Sequence, residues 1–188
     1  MQFVVLIGHP KPCSRTLDVA GAAADAVADV LGLDAGYTVV DLSVLARRLL
    51  LPEPSAAVED ATEQVCGADL LLVASPTFKG TYTGLLKVFL DRLPHRALQG
   101  SVALPLLVMG APQHAFAVDV HLRPLLIELG ATVPVPGLVV LESDLDRPDD
   151  VLRPWARRVG DAVLDRLPVG LGAAGQEHRA EHGEPALL

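Results

Sequence analysis

Ala68-Asp69-Leu70-Leu71-Leu72-Val73-Ala74-Ser75-Pro76-Thr77-Phe78-Lys79-Gly80-Thr81-Tyr82-Thr83-Gly84-Leu85-Leu86-Lys87-Val88-Phe89-Leu90-Asp91-Arg92-Leu93-Pro94 is the stretch whose reading decides the fold. The unbroken apolar run Leu70 to Ala74 has the composition of a strand buried on both faces, and Ser75-Pro76 is expected to stop it because proline cannot continue a ladder. A turn rich in hydroxyls and glycine follows. Leu85, Leu86, Val88, Phe89, Leu90 and Leu93 then fall at i, i+3, i+4 and i+7 spacing up to Pro94, which predicts a helix packing back on the strand. In an open α/β sheet, a strand ending in a polar loop that feeds a helix is where ligands bind.

The same unit recurs on both sides. Upstream, Gln2 to Ile7 reads as a strand, Gly8 to Thr16 as a loop, and Leu17, Ala20, Ala24, Val27 and Leu31 as a helix with Ser14 as N-cap and Gly32 as its stop. Tyr37 to Leu42 is a second strand, and the segment from Leu45 to Pro54 is an irregular connection with room for one helical turn. Ala56 to Cys66 is a second helix. Downstream, Ser101 to Met109 reads as a fourth strand in which Pro105 predicts a bulge. A helix from Phe116 to Leu129 follows, closed by Gly130 and kinked by Pro124. Val133 to Leu141 is a fifth strand, and Asp149 to Leu167 a closing helix.

Five strands alternating with helices imply an α/β fold, a parallel sheet covered on both faces. With right-handed crossovers and strand order 2-1-3-4-5, the loops after strands one, three and four meet at the carboxyl edge. With 188 residues, 51% of them apolar, the chain has the material for one sizeable core. The expected organisation is a single domain over residues 1–168 and a disordered, glycine- and charge-rich tail over 169–188.

Composition narrows the function. The net charge is −8, which opposes nonspecific binding to nucleic acid or to an anionic membrane. No apolar run reaches the roughly 18 residues of a membrane helix, and no basic segment precedes the first apolar run, so neither a membrane span nor export is expected. Cys13 and Cys66 match no metal pattern and no redox pair, which points to a cytoplasmic protein.

Three loops carry the chemistry. In the first, Ser14, Arg15 and Thr16 coincide with the free N–H groups of a helix start, the donor set a phosphate monoester needs. Neither G-x-x-x-x-G-K-[ST] nor G-x-G-x-x-G is present. The plainer alternative is that Ser14 only caps the helix and Arg15 is solvated. The second loop, Ser75 to Thr83, offers Phe78 and Tyr82, three threonine hydroxyls and backbone opened by Gly80, a setting for a flat heteroaromatic ring whose reduced edge backbone N–H groups stabilise. Here the alternative is that both aromatics are rim residues over the core. The third loop, Gly110-Ala111-Pro112-Gln113-His114, adds an imidazole with no role assigned by its residue type alone.

Gly8-x-Pro10 with Ser14-Arg15-Thr16, the block Ser75-Pro76-Thr77-Phe78-Lys79 through Gly84-Leu85-Leu86-Lys87, Leu93-Pro94, Arg96-Ala97-Leu98-Gln99-Gly100, and Gly110 with His114 and Ala117-Val118-Asp119 together resemble the NADPH-dependent FMN reductases. The nearest subgroup is the one that supplies reduced flavin to alkanesulfonate monooxygenases. The resemblance spans residues 1 to 165 and implies a flavodoxin-like fold. It implies FMN phosphate contacts at Ser14, Arg15 and Thr16, ring contacts at Pro76, Thr77, Phe78, Lys79 and Gly80, and Gly110 to His114 beside the ring. Phe78 stands where such enzymes commonly carry tyrosine, and the helix after His114 lacks an aromatic found in some of them.

The activity implied is hydride transfer from NADPH or NADH to FMN by alignment of the two, without a catalytic acid or base and without metal. An aromatic content of 4% leaves few rings to clamp a flavin, so FMN is expected to exchange as a substrate. A flavin-dependent monooxygenase as partner and a homodimer or homotetramer are further implications. The competing readings are a quinone, azo-dye or metal-ion reductase that retains FMN, and a non-enzymatic electron carrier of flavodoxin type.

Overall fold

The computed structural model describes residues 1–163 apart from Ala35 and Pro54; the tail expected from residue 169 lies outside them. Strands β1 (Phe3–Ile7), β2 (Thr38–Asp41), β3 (Leu70–Pro76), β4 (Val102–Met109) and β5 (Leu138–Leu141) form one parallel sheet in the order β2-β1-β3-β4-β5, the flavodoxin-like arrangement. The alternation of side chains along each strand divides the core. Phe3, Val5, Ile7, Leu70, Leu72 and Ala74 face helices α1 (Arg15–Leu31) and α5 (Asp149–Val163). Val4, Leu6, Leu71, Val73, Ala103 and Leu107 face α2 (Ala56–Cys66), α3 (Gly84–Leu90) and α4 (Arg123–Glu128). Period-two alternation through β1, β3 and β4 therefore builds both layers from strands that are apolar at every position.

The ends of the elements follow from their chemistry. Ser14 Oγ accepts the Leu17 N–H at 3.2 Å, and Gly32 leaves α1 at φ 64°, a conformation that glycine adopts without steric cost. α5 lies close enough to α1 that a Cβ on Gly160 would meet Val30 Cγ1 at 2.4 Å.

Four features differ from those read in the sequence, and each of the differences involves proline. β3 continues through Ser75 and Pro76, with Pro76 opposite Val108 and the ladder closed by the Thr77 N–H to Val108 O at 2.8 Å. A proline at the last position of a strand costs only a bond the strand would have ended without. β4 runs without a bulge through Pro105, which stands opposite Val73. The Val102 N–H points to Asp69 O on the β3 side and the Ala103 N–H to Thr132 O on the β5 side. Alternation then turns the nitrogen of residue 105 toward β5, at a point where that pairing has not begun, since its register opens at Leu106 and Leu138. The missing donor falls in a gap.

That gap explains the third difference. β5 begins at Leu138 and not at Val133. The carbonyls of Val133 and Val135 accept the Arg123 guanidinium at 3.0 and 3.4 Å, and Pro134 and Pro136 offer no N–H for a ladder. The fourth is the helix expected from Phe116 to Leu129, which is a π turn over Val118–Leu122 followed by α4. Pro124 has no N–H to give to the carbonyl four residues back, and one wide turn accommodates the defect.

Candidate flavin cleft

At the carboxyl edge the loops after β1 and β3 enclose an open cleft of about 360 Å³, lined by residues 9 and 11–16, Pro76, Phe78, Val108 and Glu142. Buried hydroxyls that do not themselves line the cleft tie its two loops together and form the floor that underpins it. Ser75 Oγ accepts the Thr83 N–H at 3.0 Å and donates to Pro76 O at 2.9 Å. Thr83 Oγ1 donates to Gly8 O at 2.5 Å and accepts the Leu86 N–H at 3.1 Å as the N-cap of α3. A Cβ on Gly8 would stand 2.7 Å from Leu86 Cβ, so glycine is required for the first loop to lie this close to α3. The first and second loops are thus one hydrogen-bonded unit before any ligand arrives, the kind of preorganisation that lowers the entropy of binding.

On this floor the first loop presents donors. Ser14 and Thr16 are buried and Arg15 is exposed. The N–H groups of Arg15 and Thr16, the first two of a seventeen-residue helix, have no carbonyl below them within the helix, and the helix dipole adds positive potential there. Ser14 accepts one N–H with its oxygen and keeps its own proton to donate. The cap is the plainer of its two readings, and it leaves the hydroxyl proton for another acceptor. Arg15 is not merely solvated: its Nη2 lies 3.0 Å from Glu142 Oε1.

The second loop turns sharply at Lys79 and Gly80, both at positive φ (55° and 82°), with Phe78 and Thr81 exchanging backbone hydrogen bonds at 2.9 and 3.4 Å. Such a two-residue turn favours glycine at its second position. It projects Phe78 into solvent, 48% exposed, with its ring 6.0 Å from that of His9 at a tilt of 69°. Tyr82, by contrast, is half-buried and packs against the core, the plainer of its two readings. Thr77 Oγ1 is buried without a hydrogen-bond partner.

Of the residues singled out in the sequence, Ser14, Arg15, Thr16, Pro76 and Phe78 line the cleft together. Thr77, Lys79, Gly80, Gly110 and His114, on the second and third loops, do not line it. Lys79 is held at the exposed tip of the turn. A Cβ on Gly80 would lie 4.0 Å from His114 Cδ2, and one on Gly110 3.9 Å from Glu142 Oε2, which brings the third loop against the second and against the end of β5. The cleft also holds His9, Lys11 and Glu142, to which sequence reasoning gave no role. His9 stands in the first loop beside Gly8. Glu142 is the first residue after β5, and the strand order alone places that position on the same edge.

Comparison with known proteins identifies the family. Residues 1–146 match the family model described as NADPH-dependent FMN reductase. An FMN reductase (NADPH) of Escherichia coli is 37% identical over 147 residues, covering 77% of this chain and 75% of that protein. The NADH-dependent FMN reductase SfnF of Pseudomonas fluorescens is 32% identical over 149 residues, covering 77% and 78%. The crystal structure of the NADH:FMN oxidoreductase EmoB in its apo form superposes with a TM-score of 0.74 at 32% identity, covering 90% of this chain and 91% of that one. The chain belongs to the NADPH-dependent FMN reductase family.

Proposed function

We propose that this protein reduces exchangeable FMN with NADPH or NADH and releases reduced flavin to a partner flavin-dependent monooxygenase. The observation that carries the reading is the open cleft in which the donors of the α1 N-terminus, Ser14, Arg15 and Thr16, stand on the same floor as Pro76 and Phe78. The donor set fits a phosphate monoester: a guanidinium, two hydroxyls and first-turn N–H groups. Pro76, Phe78 and the backbone around Thr77 and Gly80 fit a flat ring edge, with Lys79, Gly110 and His114 at its border. When bound, FMN supplies the hydride acceptor, and the nicotinamide of NAD(P)H the hydride.

The chain's own part is positional. The Ser75–Thr83–Gly8 hydrogen bonds fix the floor, the first loop orients the phosphate, and the second loop leaves an exposed aromatic at the mouth instead of a closed sandwich. One partly exposed ring gives little to retain a flavin, since an aromatic stack adds only about 0.5–1.5 kcal/mol. Two free cysteines, and no helix among the described residues long and apolar enough to cross a membrane, are compatible with a cytoplasmic location. Phe116, Val120 and Ile127, exposed along the third-loop helix, favour a homodimer or homotetramer in which they are covered.

The test is NADPH oxidation by flavin-stripped protein under nitrogen with increasing FMN, following the loss of flavin absorbance. Many turnovers per protein are expected. Reduction of one equivalent, or none without a quinone or dye, would assign the protein to the retained-flavin reductases or the carriers.

A further inference from the structure

Glu142 places a carboxylate in a cleft that otherwise offers donors to an anion. Its Oε1 lies 3.0 Å from Arg15 Nη2, and its other oxygen sits over Gly110, where a Cβ would approach it at 3.9 Å. Among the residues that line the cleft, Lys11 and Arg15 are the cations with fixed charge and Glu142 is the carboxylate. Arg15 is also the cation that follows the Ser14 cap directly, so the guanidinium best placed for a phosphate at the α1 N-terminus is the one Glu142 already holds. A phosphate dianion entering there has to share or take over that guanidinium and then lies beside a like charge, which disfavours both ionised groups.

We propose that Glu142 is an affinity-setting residue: it acts as a built-in competitor for the phosphate of FMN and keeps the bound flavin exchangeable. The inference rests on the reading of the first loop as the phosphate site, and it adds a cause for exchange that the scarcity of aromatics does not supply. Both side chains are largely exposed, 65% for Arg15 and 45% for Glu142, so the pair is screened and its effect is modest, while the repulsion acts only on ligands that carry the phosphate. Glu142 is therefore expected to discriminate against FMN relative to riboflavin, which has the same ring and no phosphate.

The experiment measures flavin binding by fluorescence quenching for wild type, Glu142→Gln and Arg15→Gln, each with FMN and with riboflavin, at low and high ionic strength. Glutamine keeps the size and the hydrogen-bond acceptor and removes the charge. Glu142→Gln is expected to bind FMN about two- to fivefold more tightly, the scale of an exposed ion pair, with riboflavin unchanged and the gain smaller in 0.5 M salt. FMN dissociation followed by stopped flow is expected to slow by a similar factor. Unchanged or weaker FMN binding in Glu142→Gln, the result if the carboxylate steadies Arg15 for the phosphate, overturns the inference. Arg15→Gln tests the reading beneath it: weaker FMN with unchanged riboflavin supports the phosphate site. Equal effects on both flavins would remove the site and the inference together.

Discussion

Two regions of the molecule, the paired first and second loops at the carboxyl edge and the stretch that leads into β5, are held by different chemistry. The wall made by the first and second loops hangs on neutral hydroxyls buried to the last few per cent, Ser75 and Thr83, each bonded to backbone groups of another segment. The stretch that leads into β5, packed against the π turn and α4, hangs on charge. Asp119 accepts the Gly137 N–H at 3.1 Å and lies 3.6 Å from Arg123, and Arg123 in turn donates to two carbonyls of the Val133–Val135 stretch. Asp119 and Arg123 are 42% and 33% exposed. The buried pins gain strength from their low-dielectric surroundings and ignore salt, whereas the charged clamp is in reach of water and ions.

The largest effect is expected at the buried pin. Thr83→Val keeps the shape, removes the α3 cap and leaves the Gly8 carbonyl without its donor, at a cost of about 2–3 kcal/mol. A urea melt checks this, with the midpoint lowered at unchanged slope. A loss under 0.5 kcal/mol would mean that the wall is not pinned there. Arg123→Met is expected to cost about 1–2 kcal/mol through the two orphaned carbonyls, a smaller loss because the site is half open to water. Asp119→Asn keeps an oxygen for Gly137 and removes only the charge, so about 0.5 kcal/mol or less is expected, vanishing in 0.5 M NaCl. A salt-independent loss would erase the contrast between the two regions. Least of all in stability, Phe116→Asp is expected to change the melt by less than about 0.5 kcal/mol while shifting sedimentation velocity toward the monomer; an unchanged mass would show that this face is not where copies meet.

How far the sequence reached differs between the same regions. The pinned wall was readable because its signals are local: an apolar strand, a helix cap three residues ahead of the N–H it accepts, glycine before a helix. What escaped there was the partner of each hydroxyl, because Thr83 and Gly8 are distant in sequence and meet only through the 2-1-3-4-5 order. The region of α4 and the approach to β5 was read less well. Pro124 and Pro105 announced local defects, but whether a missing N–H bends an element depends on what faces it. At Pro124 the answer was a π turn, and at Pro105 no distortion at all. Glu142 was missed for a related reason: an acidic residue is not sought in an anion site, and only the sheet order shows that the position after β5 borders the first loop.

Pro105 carries a lesson for anyone rewriting this sheet. Restoring an ordinary residue there, by the usual logic that prolines do not belong in central strands, would introduce an amide proton with no acceptor opposite it. The proline marks the place where one neighbour has left and the next has not yet arrived, much as a seam allowance marks where two pieces of cloth are joined. Grafts of new edge strands or longer loops onto this scaffold are best cut at that mark, because Pro105 brings no amide proton there that a new neighbour would have to satisfy.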